Sequence, residues 1–343
     1  MFNPRYTISN RLLANIKRIA EIVAGLNSRI FSGVVLAELE KRAREISAFS
    51  STSIEGNPLP LTDVKRILKN KPEHIHDSEK EVLNYNKILI ELNDSINKQE
   101  QFFDLSLIIK IQKTVTEDLI EKHRWGKIRQ EPVFVNNPKT RQTVYLPPEH
   151  SEVSELMNKL IGWTAENENK IDPLILAGIF HKQFVVIHPF IDGNGRTARL
   201  ATKVLLAKMG LNTFNLFSFE NYYNQNVSKY FQEVGLFGNY YDIKDSIDFT
   251  LWLEYFTDGI IDELLRVEKQ LGQEASSPEN ELKVHHKKII VHIQKHGFIS
   301  DRDYAKLTDR AKPTRNLDFR KLIELNMIEK QGNGKATYYK FKN

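Results

Sequence analysis

Twelve residues, His188 to Arg199, read HPFIDGNGRTAR and gather groups that suit phosphate chemistry. Glycines at 193 and 195 let backbone N–H groups approach an anion closely, and a helix starting there would aim its positive dipole end at the same place. Arg196 and Arg199, three apart, would share one helix face and offer two guanidinium forks to phosphate oxygens. Asp192 can supply the single carboxylate that Mg²⁺ needs when substrate phosphates provide its other ligands. His188 titrates near neutrality, so its free imidazole can take a proton from an attacking hydroxyl. This division of labour implies phosphoryl or nucleotidyl transfer. Pro189 stops any helix over 174–187, which places His188 in a loop facing the glycine turn.

The elements that must hold this loop are mostly helical by their apolar spacing. Amphipathic patterns predict helices over 5–24, 34–53, 61–69, 78–97, 104–121, 151–164, 172–186, 195–209, 221–235 and 246 to about 270. Gly56 with Pro58 ends the second of these, leaving Ser51 and Glu55 in its last turn. Residues 131–146, EPVFVNNPKTRQTVYL, predict a β-hairpin around an Asn/Pro/Lys turn. GQEASSPEN at 272–280 is a linker by composition. The tail predicts helices over 281–296, 301–308 and 312–325, then a hairpin turning at Gly332, Asn333 and Gly334; this is the winged-helix order.

At 343 residues, 41% hydrophobic and 27% charged, the chain excludes disorder as a whole and has material for two or three domains. It has no cysteine, which rules out disulfides, zinc–cysteine sites and thiol nucleophiles. No signal-like stretch opens it and no run of about 18 apolar residues occurs, so a cytoplasmic protein without a membrane partner is expected. The net charge of +5 is uneven, with 15 Lys and Arg against 7 Asp and Glu in 281–343. Such an excess can attract nucleic acid, though modestly basic domains are common without that partner.

Other readings are weaker. GNGRTA also satisfies the dinucleotide pattern GxGxxG/A, but the repeating β-α-β texture of that fold is missing. His74 with His76, His285 with His286, and His181 with His188 lack the companions and spacings of zinc motifs. No GxxxxGK[ST] loop is present.

HPFIDGNGRTAR resembles the signature of Fic-domain proteins, HxFx(D/E)GNGRxxR, and fills every specified position. The resemblance implies a mainly α, Fic-fold helical bundle with a hairpin flap, to which the element order of the tail adds a C-terminal winged helix. Together these readings divide the chain into an N-terminal helical region (1–99), a Fic core (100–271), a linker (272–280) and a winged-helix domain (281–343). The resemblance implies a protein adenylyltransferase using ATP and Mg²⁺. His188 would deprotonate a target hydroxyl, which attacks the α-phosphate, so that AMP is transferred and pyrophosphate released. Asp192 would hold Mg²⁺, Gly193, Asn194 and Gly195 would form the anion hole, Arg196 would contact phosphates and Arg199 the γ-phosphate, with Phe190 a core anchor.

Ser51-Thr52-Ser53-Ile54-Glu55-Gly56 is similar to the family's inhibitory motif (S/T)xxxE(G/N), on a helix of about 34–56 that precedes the core. That arrangement, called class II, implies that Glu55 pairs with Arg199 and misaligns ATP for attack. Some relatives use this Glu to orient water for removing AMP, so the reverse reaction is a further expectation. NYYNQNVSKYF at 221–231 resembles the segment closing around adenosine, which brings Asn226 and Tyr230 toward the nucleotide. A target would dock on the 131–146 hairpin by strand addition. Oligomeric state stays open, a homo-oligomer included. The competing reading is a DNA-binding regulator with a secondary or inactive Fic-like part, using Lys312, Arg315, Arg320 and Lys321 on the third tail helix.

Overall fold

The structure is a computed structural model, and it describes residues 2–27, 33–70, 72, 74–98, 103–136, 142–208, 210–211, 215–275, 282–325, 327–332 and 334–342. The chain divides into two compact units, Met1–Ser28 with Ala43–Arg266, and Arg29–Arg42 with Val267–Asn343. The expected hairpin tip falls at 137–141, and most of the 272–280 linker and Asn333 also lie outside the described residues.

The larger unit begins with α1 (Asn10–Asn27), later than its apolar pattern predicts. Ser9 sets that start, because its Oγ accepts from the Leu12 N–H at 3.1 Å. Arg5 is held extended by a bridge to Asp248, with the Phe249 N–H donating to the Arg5 carbonyl at 2.9 Å. Then come α2 (Gly33–Ile54), which belongs to this unit from Ala43 onward, α3 (Leu61–Lys69), α4 (Asp77–Asn97) and α5 (Leu105–Val115). The strands β1 (Val135–Asn136) and β2 (Thr143–Leu146) follow, and then α6 (His150–Asn167), α7 (Pro173–Ile187) and α8 (Asn194–Lys208).

Helix α7 lies at the centre because its sequence, PLILAGIFHKQFVVI, is apolar but for His181, Lys182 and Gln183; Asp172 caps it by accepting from Leu174 N–H at 2.8 Å, with Pro173 at its first turn. The segment predicted as one helix over 221–235 is two, α9 (Glu220–Gln225) and α10 (Val227–Val234). Asn226 breaks it and caps the second, its Oδ1 accepting from Lys229 N–H at 3.1 Å.

β1 and β2 are antiparallel, pairing Val135 with Tyr145, and β2 runs parallel to a third strand that no periodicity signalled, β3 (Gly238–Asn239). Beneath this small sheet Tyr145, Val186 and Tyr240 are buried together, and Tyr145 OH donates to the Val186 carbonyl at 2.9 Å. The sheet is thereby tied to the last turn of α7. The unit closes with α11 (Tyr240–Ile243) and α12 (Thr250–Ala275), the latter running past the unit's boundary at Arg266.

The smaller unit contains α13 (Val284–His296), β4 (Ile299–Ser300), α14 (Asp301–Leu307), α15 (Lys312–Glu324), β5 (Ile328–Gln331) and β6 (Tyr338–Phe341). Its strands form an antiparallel sheet in the order β4-β6-β5. Ile289, Ile293, Ile299, Tyr304, Phe319, Leu322, Ile328 and Tyr339 make its core, with Phe319 and Tyr339 stacked at 4.0 Å. A capping box, Ser300 with Asp303, starts α14. No described helix is long and apolar enough to cross a membrane.

Candidate active site

His188 is the C-cap of α7 and adopts a left-handed conformation, φ 52° and ψ 60°, which is strained for a residue with a Cβ. Its Nδ1 faces the Val185 carbonyl at 3.3 Å. A carbonyl only accepts, so Nδ1 carries the proton and Nε2 keeps its lone pair. Burial pushes the His188 pKa down to about 4, with Arg129 adding to the effect and Val185, Glu55 and Asp192 opposing it. The ring is therefore neutral at pH 7 and able to accept a proton.

The turn after it is fixed from three sides. Phe190 is fully buried, which contributes about 1.5–3 kcal/mol. Asn194 accepts from Phe190 N–H at 2.9 Å and donates to Phe190 O at 2.8 Å, so its side chain braces the turn. Gln112 Nε2 donates to Asp192 O at 3.1 Å while its Oε1 accepts from Gly126 N–H at 2.7 Å. Gly193 has φ 80°, and a Cβ there would lie 2.8 Å from Thr116 Cγ2, so glycine is required twice over. Helix α8 starts at Asn194 and presents its unpaired N–H groups here.

The two arginines of the motif have parted company. Arg196 pairs with Asp192 at 2.9 Å and with Glu81 of α4 at 2.5 Å, and its side chain is 4% exposed. Glu81 also accepts from Asn57 at 2.7 Å. Arg199 is fully buried and faces α2: Nε donates to Ser51 Oγ and Nη2 to Ser51 O, both at 2.8 Å, and Nη2 to Glu55 Oε1 at 2.7 Å. Burial alone would lower the Arg199 pKa; the Glu55 carboxylate together with Tyr230 and Tyr85 outweighs it and holds the group above its usual value.

The end of α2 explains how Glu55 arrives there. Gly56 takes φ 97°, Gly56 N–H donates to Ser53 O at 3.0 Å and Asn57 N–H to Thr52 O at 3.1 Å. This is a Schellman termination, with Glu55 as the cap residue. Its Oε1 sits against Gly195 where a Cβ would be, so the carboxylate occupies the niche between the α8 start and Arg199. α2 is further anchored by Glu220, a fully buried carboxylate that accepts from Ser47 at 3.1 Å and Tyr85 at 2.7 Å and pairs with Lys203 of α8 at 3.2 Å.

A cavity of about 670 Å³ opens beside these groups, lined among others by Glu55, Tyr145, His188, Gly195, Arg199 and Tyr230. That is within the range of small-molecule and cofactor sites. Tyr230 is buried, with its hydroxyl 3.1 Å from His181 Nε2 and 3.5 Å from Arg199 Nη1. Asn226 is exposed at its cap; the next residues, Val227 and Ser228, line the cavity instead. Asp192 and Arg196 are not among the lining residues. The Asp192 side chain is 46% exposed, and only its Oδ2 has a protein partner among the described residues. A half-exposed carboxylate beside a helix N-terminus suits a Mg²⁺ ion that shares phosphate ligands.

Arg129, Gln112, Glu81 and Glu220 brace this site and were not singled out by motif reasoning. Each comes from a different segment, and none has a spacing relation to 188–199. Arg315, expected on the nucleic-acid face of α15, is bound by Asp301 at 2.8 and 2.9 Å.

Residues 102–206 match the model of the Fic/DOC family. Protein adenylyltransferase Fic of Drosophila erecta is 28% identical over 228 residues, which cover 59% of this chain and 43% of that protein. The Culex quinquefasciatus protein of the same name is 29% identical over 219 residues, 58% of this chain and 42% of that one. The chain thus spans less than half the length of these curated relatives. A Fic family protein from Desulfovibrio desulfuricans has the same fold, with TM-score 0.66 and 20% identity over 99% of this chain and 98% of that one. Fic-1 of C. elegans superposes with TM-score 0.60 and 20% identity over 78% of this chain and 74% of that one.

Proposed function

We propose that the protein is a Mg-ATP-dependent protein adenylyltransferase that Glu55 holds off. One observation carries this reading: a neutral imidazole, a glycine-lined helix start and a buried guanidinium converge on one cavity, with a carboxylate on the guanidinium. His188 Nε2 takes the proton of a Tyr, Thr or Ser hydroxyl, that oxygen bonds to the α-phosphorus, and the bond to the bridging oxygen breaks, releasing pyrophosphate. N–H groups of Gly193, Asn194 and Gly195 receive phosphate oxygens, and Tyr230 lines the nucleotide pocket. Arg199 is the γ-phosphate ligand, and Arg196 acts by holding Asp192. Asp192 would hold Mg²⁺, which supplies charge neutralisation on the phosphates.

Glu55 lies on Arg199 and against Gly195, the place a phosphate oxygen needs, so ATP enters misaligned. On the same reading, that carboxylate would orient water for removal of AMP. Among the described residues β1 is paired on one side only and Phe134 beside it is 61% exposed, which supports strand addition by a target segment. The division into 1–99, 100–271, 272–280 and 281–343, with the last a winged-helix domain, belongs to this proposal, as does a cytoplasmic setting. The engagement of Arg315 by Asp301 weakens the alternative of a DNA-binding regulator, leaving Lys312, Arg320 and Lys321 for any contact.

The test is intact-mass analysis of the Glu55→Gly variant after incubation with Mg-ATP and candidate targets. A gain of one AMP on protein is expected, together with its loss in Glu55→Gly/His188→Ala. Label from γ-labelled rather than α-labelled ATP would overturn nucleotidyl transfer.

A further inference from the structure

Arg129 is 2% exposed and has no carboxylate partner among the described residues. Burial lowers its pKa, so its charge is held at a cost that some other gain must offset. Its guanidinium instead spans three carbonyls from three segments. Nε donates to His188 O at 2.9 Å, Nη1 to Glu131 O at 3.2 Å and Nη2 to Pro148 O at 2.5 Å. Its own N–H donates to Pro189 O at 3.0 Å.

These anchor points have distinct jobs. His188 O belongs to the strained left-handed residue whose ring lines the cavity. Glu131 leads into β1, and Pro148 leaves β2, so the two carbonyls bracket the strand pair. A second tie runs the same way, from Tyr145 of β2 to the Val186 carbonyl. A rigid fork suits this better than an ammonium, since it fixes direction as well as charge.

We propose that Arg129 is a positioning residue that locks the peptide bearing His188 to the strand pair, setting the distance from a docked target hydroxyl to the His188 ring. This rests on the adenylyl-transfer reading. Left-handed geometry before a proline persists only where surroundings over-determine it, and the Arg129 fork is the part of those surroundings that also reaches the docking edge. An error of about 1 Å in such an alignment costs roughly 100-fold in rate.

The test uses the full chain in the Glu55→Gly background, with ATP binding by calorimetry, α-label transfer rates and thermal melts. Arg129→Lys keeps the charge but reaches fewer carbonyls; Arg129→Met keeps neither. Transfer should fall about tenfold in the first and about 100-fold in the second, while ATP affinity stays within threefold. Equal rates in Arg129→Lys and its parent overturn the proposal. So does a loss of ATP affinity that matches the loss of rate, or failure of Arg129→Lys to melt cooperatively, since either marks a purely structural role. If the parent itself transfers no AMP, the functional reading fails instead, and that outcome is separate.

Discussion

Arg199 in the larger unit and Asp318 in the smaller are both buried charges, gripped in opposite ways. Asp318 is 3% exposed and enclosed by permanent partners: Arg310 at 2.8 Å, Tyr304 OH at 2.8 Å, and His285 and His286 at 3.3 and 3.4 Å. Arg199 keeps two bonds to Ser51, but its carboxylate partner is the side chain of Glu55, 29% exposed and bordering a 670 Å³ cavity. One charge is sealed by groups of its own unit. The other is met by a carboxylate that borders a cavity and that, on the proposed function, an anionic ligand would replace. The same physics builds a core in one case and a contestable site in the other.

The largest test of this contrast is Glu55→Gly, expected to raise AMP transfer by about 100-fold, since misalignment of reacting groups costs about that much. Asp318→Asn should leave the Glu55→Gly transfer rate unchanged. If Glu55→Gly gives no increase, the carboxylate on Arg199 is structural and the contrast fails.

Next in size is stability. Asp318→Asn should destabilise the smaller unit by about 2–3 kcal/mol, less than a fully buried pair because Arg310 is a third exposed. Glu55→Gln should cost less than about 1 kcal/mol, because cavity water can solvate the vacated guanidinium. Chemical denaturation of each variant checks both; equal losses would mean Arg199 is sealed like Asp318.

The pH dependence is a third measure. Only the neutral imidazole accepts a proton, so transfer should be flat from pH 8 to about 6 and fall as the pH drops through about 4. A midpoint at the ordinary histidine value of about 6.5 would show His188 to be solvated in the working enzyme. A local effect is expected at Ser300, where loss of the capping hydroxyl in Ser300→Ala costs about 1 kcal/mol with no change in transfer.

Much of the site was legible because its chemistry is contiguous. His188, Asp192, the glycines and Arg199 sit in one turn and one helix, and spacing alone puts them together. Glu55 was legible through a motif, and the structure adds the Gly56 termination that aims it. Arg129 was not legible: its hydrogen bonds run to backbone carbonyls 2 to 59 positions away, and carbonyls leave no residue signature. Helices were found by periodicity, but β3 has two residues, Gly238 and Asn239, too few for any alternation. The break at Asn226 was missed since Asn is tolerated inside helical patterns; only its capping bond reveals the boundary.

The rivet of Ser47, Tyr85, Glu220 and Lys203 bears on how inhibition would be relieved. With α2 fastened about two turns before its end, the helix need not slide or melt for Arg199 to be freed. On the proposed function, a change of side-chain rotamer at Glu55 would be enough. Motions of that kind in exposed side chains take picoseconds to nanoseconds, so the setting of the gate would be governed by how often the carboxylate is out when a triphosphate arrives, and any molecule that stabilises the outward rotamer would act as a switch.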